Sequence, residues 1–132
     1  MDVGLEKLNY SFRDKPLLIG GKAMEYYGLR PAGADIDLVV SRYDHDELRK
    51  RYPGHIKDIY GDIGICEYGF EIWNQICRFD YDCLKTGAVE ERDLLVVSLE
   101  KLLFLKALAI EQEKCYRDVR LIVKEILRRQ YE

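Results

Sequence analysis

Two short features of this chain have residue types and spacing suited to chemistry: Gly20-Gly21, and a little further on Asp35-Ile36-Asp37. In an extended strand side chains alternate, so Asp35 and Asp37 project from one face. Two adjacent carboxylates repel, and both stay charged cheaply only with a cation between them. A divalent ion such as Mg²⁺, or Mn²⁺ in its place, supplies that cation, since Mg²⁺ takes carboxylate and phosphate oxygens at about 2.1 Å. The glycine pair ends an apolar run and opens a short helix. There it lets backbone approach an anion closely, and the helix start offers free N–H groups. Together these pieces describe a triphosphate held by backbone amides at one end and by metal on paired aspartates at the other. Taken singly, an Asp-x-Asp is often a solvated strand face and a Gly-Gly merely a turn. Their combination in one strand–helix–strand unit is what points to function.

The elements that must position these residues follow from the flanking pattern. Residues 16–19 read as a strand entering the glycine turn, residues 22–28 as a short helix closed by Gly28, and residues 35–40 as a β-branched, alternating strand. Asp44 and Glu47 fit a capping box opening a helix to about Tyr52, which Pro53-Gly54 stops. Residues 56–60, 65–68 and 71–84 read as three strands, and 94–97 as a fourth short run. Ser98 is placed to cap an apolar helix through Ile110. A last helix over about 112–130 carries Cys115, Val119, Ile122 and Ile126 on one stripe. The expectation is a single α+β domain over residues 1–132: a mixed β-sheet with flanking helices and two C-terminal helices.

The run LLIGGKAMEYYGLRPAGADIDLVVS resembles the signature of the polymerase-β-like nucleotidyltransferase superfamily, a strand ending in Gly-Gly or Gly-Ser, a short helix, then a strand bearing Asp-x-Asp. Residues 96–118 resemble the helical region that follows in small members. The resemblance implies a nucleotidyltransferase-like sheet and metal-dependent transfer of a nucleoside monophosphate from ATP or another NTP to an acceptor, with pyrophosphate leaving. Small stand-alone members modify antibiotics, proteins or RNA ends. Here Gly21 stands where many members have Ser, and Arg30 is followed by Pro31-Ala32-Gly33-Ala34 with no hydroxyl residue before Asp35.

The same resemblance implies a third carboxylate from a neighbouring strand, to activate the acceptor and hold a second ion. Asp80 and Asp82, on one face of the strand read over 71–84, are the candidates, with Asp82 closer to the family pattern. Acids on an exposed strand face are an equal reading of that pair. Lys106 interrupts an apolar helical stripe, and Asp118 points to the buried side of the next helix. A buried ion pair between them is the first reading, and contact of Lys106 with the triphosphate is the second. Lys22 is a further phosphate candidate, though a plain surface lysine is the simpler account.

Composition bounds the rest. The 132 residues are 48% hydrophobic and 34% charged, enough for one real core. Twenty-one basic against 24 acidic residues give a net charge of −3, which disfavours a dedicated duplex-binding protein but leaves a nucleotide ligand open. The four cysteines and two histidines form no zinc-type spacing, and the cysteines read as free thiols. No apolar run reaches membrane-span length and no signal peptide is visible, so a cytoplasmic protein is expected. A second class of function is a catalytically weak or inactive binding module of the same fold, such as a toxin–antitoxin component or an enzyme subunit. It would co-purify with a partner protein or a second copy.

Overall fold

The computed structural model describes residues 2–132. Its centre is a mixed seven-stranded sheet, accompanied among the described residues by five helices, as an α+β reading requires. Strand β1 (Leu17–Ile19) runs directly into helix α1 (Gly20–Tyr26), and β2 (Ile36–Val39) returns antiparallel to β1. Helix α2 (Arg42–Arg51) is followed by β3 (Ile56–Ile59), β4 (Asp62–Glu67) and β5 (Phe70–Trp73), a meander that brings β5 parallel against β2. A separate two-stranded ribbon, β6 (Gln75–Ile76) with β7 (Phe79–Asp80), leads to helix α3 (Tyr81–Leu84). Strands β8 (Val89–Glu90) and β9 (Leu95–Val96) complete the sheet, β9 lying parallel to β1. Helices α4 (Leu99–Leu108) and α5 (Glu113–Tyr131) close the described chain and pack on each other, and α1 packs on β1, β2 and α4. The sheet order is β3-β4-β5-β2-β1-β9-β8, which puts the strand carrying Asp37 near the middle.

The core follows the apolar runs. Leu17, Leu18, Leu38, Val39, Ile65, Ile72 and Val96 are fully buried in the sheet, and Ala23, Met24, Leu102 and Ile122 come from the helices. Trp73 lies over Gly64, its register partner on β4; a Cβ at Gly64 would meet the indole ring at 2.7 Å. That position therefore takes glycine for close packing.

Several boundaries differ from the sequence reading for local reasons. Helix α2 starts earlier, because Ser41 rather than Asp44 is its cap and accepts from the Asp44 N–H at 3.2 Å. Asp44 is buried inside the first turn, accepting from the Tyr10 hydroxyl and from the N–H groups of Arg13 and Asp14. It ties the N-terminal segment to α2. The single strand expected over 71–84 is instead β5, β6, β7 and α3, because Cys77 and Arg78 turn the chain with φ of 48° and 67°. Ser98 caps α4 as its position implies, accepting from the Lys101 N–H at 3.1 Å. Among the described residues no helix is long and apolar enough to cross a membrane.

Candidate active site

The glycine turn and the aspartate strand meet in space. Ile19 is the register partner of Asp37, so the turn after β1 falls beside the Asp37 side chain. Gly20 has φ of +68°, in the left-handed region, and a Cβ there would come within 2.4 Å of Asp37 Oδ2. Both facts demand glycine at position 20. Gly21 is different: a Cβ there would find only ordinary contact, 3.6 Å from Arg30 Nη1. Its missing side chain is not a steric requirement.

On the other side of β2, Glu71 of β5 is the register partner of Asp37. Neighbours in register project from the same face, so Glu71 stands beside Asp37. Asp35, just before the strand, is exposed and adds its field to theirs. Burial first, and then the charges of Glu71 and Asp35, push the Asp37 carboxyl up to about 6; Lys106 and Lys114 oppose the shift without cancelling it. Glu71 is held by Lys57 of β3, Nζ to Oε1 at 2.9 Å, and that hydrogen bond raises the lysine's pKa. Cys66 faces Glu71 from β4, and burial followed by the Glu71 charge pushes its thiol up.

A second charged group borders the glycine turn. Asp118 on α5 accepts from Arg30 Nε and Nη2 at 2.6 and 2.7 Å, and pairs with Lys106 Nζ of α4 at 2.9 Å. Burial alone would raise the Asp118 carboxyl; the hydrogen bonds from Arg30 and Lys106 outweigh it and hold the group below its ordinary value. The Lys106–Asp118 pairing read from the helical stripe is thus present, with Arg30 as a third member. Two cations on one buried carboxylate leave a surplus positive charge next to Gly21. Lys22 is half-buried, 3.9 Å from Glu25 of its own helix.

Asp80 and Asp82 lie elsewhere, which corrects their placement on one strand beside the Asp-x-Asp. Asp80 caps α3 by accepting from the Cys83 N–H at 2.9 Å, and Asp82, within α3, pairs with Lys85 at 3.1 Å. Both line a groove of about 560 Å³ with Ser41, His45 and Asn74. Ser41 and Asn74 follow the C-terminal ends of β2 and β5, whereas Asp37 and Glu71 lie near the strands' beginnings. At about 3.3 Å per residue, the four-residue step from Asp37 past the end of β2 to Ser41 spans roughly 13 Å. The carboxylate that the topology sets beside Asp37 is Glu71. Its sequence signal is the alternation Phe70-Glu71-Ile72-Trp73, a single acid between buried apolar residues.

Apart from the Cys66 thiol opposite Glu71, the donors beside Asp37 are carboxylate oxygens, which suit a hard cation. Among the described residues no three His, Cys, Asp or Glu side chains form a ready-made metal cluster. Asp37 and Glu71, neighbours in register, are the two carboxylates that could share one divalent ion of the Mg²⁺ kind, the rest of its shell being water or phosphate oxygen. Compared with protein-family models, curated proteins and solved structures, the chain matches none.

Proposed function

We propose that this protein is a metal-dependent nucleotidyltransferase, moving a nucleoside monophosphate from ATP or another NTP to an acceptor. The observation that carries the reading is the contact between Gly20 and Asp37. The glycine turn and the Asp-x-Asp strand, the two halves of the sequence signature, adjoin with no space for a side chain between them. Asp37 and Asp35 would hold Mg²⁺ or Mn²⁺, with Glu71 in place of Asp80 or Asp82 as the third carboxylate. When bound, the metal supplies charge neutralisation at the triphosphate. The chain supplies the rest. The Gly20-Gly21 backbone approaches the phosphates, and Arg30 and Lys106, fixed by Asp118, present positive charge beside that turn. Lys22 is a peripheral contact at most. Catalysis of this kind is mainly positioning and electrostatics.

The Lys57–Glu71 ion pair favours a second reading, a nucleotide-binding module with weak or no turnover, because an ammonium already neutralises the third carboxylate. One assay separates the two. Pyrophosphate release from an NTP mixture, with cell extract as acceptor source, is expected from the wild type and is lost in Asp35→Asn and Asp37→Asn. Mg²⁺-dependent NTP binding without any pyrophosphate release supports the module. Equal NTP binding by wild type and both variants, with or without Mg²⁺, refutes the site.

A further inference from the structure

The outer face of α5 carries a row of cations that the proposed reaction does not use. Lys114, Arg117, Arg120 and Lys124 follow one another at steps of three, three and four residues, so they share one helix face. All four are exposed, and none is within ion-pair distance of an acid among the described residues, although the chain holds more acids than bases. Helix α5 has six basic and three acidic residues. Two of those acids are already engaged, Asp118 by Arg30 and Lys106, and Glu125 by Arg128 and Arg129. The positive charge of this helix is therefore free on its outer side. From Lys114 to Lys124 the row runs about 15 Å at 1.5 Å per residue. It begins at the candidate active site, where Lys114 is close enough to act on Asp37. Tyr116, 47% exposed, stands on the adjoining flank, and Tyr131, 84% exposed, lies beyond Lys124 at the end of the helix.

A row of unpaired cations with one exposed tyrosine beside it and another at its end matches the chemistry of a flexible phosphodiester backbone with unstacked bases. The chain's net charge of −3 and the narrowness of the row speak against a duplex, whose two strands need a wider basic surface. A membrane-surface helix would turn a broad apolar face outward. In α5 the residues Cys115, Ile122 and Ile126 are turned inward and the helix packs on α4; the apolar side chains left outside, Val123 and Leu127, form only a narrow strip beside Tyr116. We propose that the outer face of α5 is a docking track for the backbone of a single-stranded nucleic acid, gripped by Lys114, Arg117, Arg120 and Lys124. The track does not depend on turnover, so it is tested apart from catalysis.

The test is fluorescence anisotropy of labelled 12-nucleotide single strands, RNA and DNA, in EDTA without nucleotide. The wild type is expected to bind, with affinity falling steeply as salt rises. The variant Arg117→Glu/Arg120→Glu/Lys124→Glu, whose changes are all on exposed positions, is expected to keep its melting temperature. It should lose on the order of a hundredfold in affinity at 50 mM salt, with a salt slope lower by about 2, as the loss of three phosphate contacts requires. The control Arg49→Glu/Lys50→Glu, at the exposed end of α2, is expected to bind as the wild type does. Absence of binding to either strand, equal loss in the control, or an unchanged affinity in the triple variant would overturn the proposal. So would binding to anionic phosphatidylserine vesicles without binding to the oligonucleotides. Because Asp35 and Asp37 take no part in the assay, their failure as a metal site leaves its outcome untouched.

Discussion

The Asp37 carboxyl yields the sharpest consequence, because its environment works against its own charge. In the folded chain it titrates at about 6, against about 4 for an unfolded aspartate. The raised value means the folded state prefers the protonated form. The stabilising contribution is fully present below about pH 4 and is lost as pH rises through 6. That preference is worth at most about 3 kcal/mol, and solvent access to the carboxylate lowers it to roughly 1–2 kcal/mol. Asp37→Asn removes the charge and keeps the shape. At pH 7.5 the variant should therefore be more stable than the wild type, by roughly 4–10 °C in melting temperature for a domain of this size. At pH 4 the two should melt within about a degree of each other. Thermal melts followed by circular dichroism across pH 4–8 read this directly. A variant less stable than the wild type at pH 7.5, or one whose advantage is the same at pH 4, would refute the assignment of Asp37 to a crowded carboxylate cluster.

Three further outcomes follow from the packing. Gly20→Ala should destabilise the fold by about 1–3 kcal/mol, from a left-handed backbone and a methyl pressed on Asp37, whereas Gly21→Ser should melt like the wild type; equal effects at the two positions would contradict the geometry. Asp118→Asn leaves Arg30 and buried Lys106 without a counter-charge and should cost about 3–5 kcal/mol in urea unfolding at pH 7. Since Asp118 is held below its ordinary value, its stabilisation is present at neutral pH and fades as pH falls through its folded pKa, so the gap between variant and wild type should narrow in acid. Gly64→Ala should cost about 1–3 kcal/mol and disturb the near-ultraviolet signal of Trp73, the chain's one tryptophan, whose ring occupies that space; an unchanged signal and stability would mean the ring is elsewhere.

The turn at Gly20 and the strand carrying Asp37 are legible in the sequence because they rest on local rules. A β-branched run with alternating acids predicts its own strand, and a glycine pair after an apolar run predicts its own turn. The same holds for Ser98, whose hydroxyl meets the Lys101 N–H in the expected capping geometry. The placement of Glu71 beside Asp37 was not legible, because it depends on which strand lies beside β2, a non-local pairing. The break that separates β5 from Asp80 and Asp82 also gave no warning. The turn at Cys77-Arg78 has two left-handed residues and no glycine or asparagine, so it lacks the usual hairpin signature. It is fixed from outside, by the Cys77 N–H donating to buried Asp62 at 2.8 Å. Asp44 escaped for a similar reason: a capping pattern read locally is overridden by three donors from the N-terminal segment. Arg30 was visible as a motif residue, but its partner is 88 positions away.

In the proposed function, Asp35, Asp37 and Glu71 form the cation end of a nucleotide site. A crystal soaked with Mn²⁺ and a non-hydrolysable NTP tests it most directly, through the anomalous signal of the metal. A peak between the triphosphate and Asp37 and Asp35, with Glu71 alongside, is expected. A peak in the groove lined by Asp80 and Asp82, or triphosphate bound away from the Gly20-Gly21 turn, would contradict it.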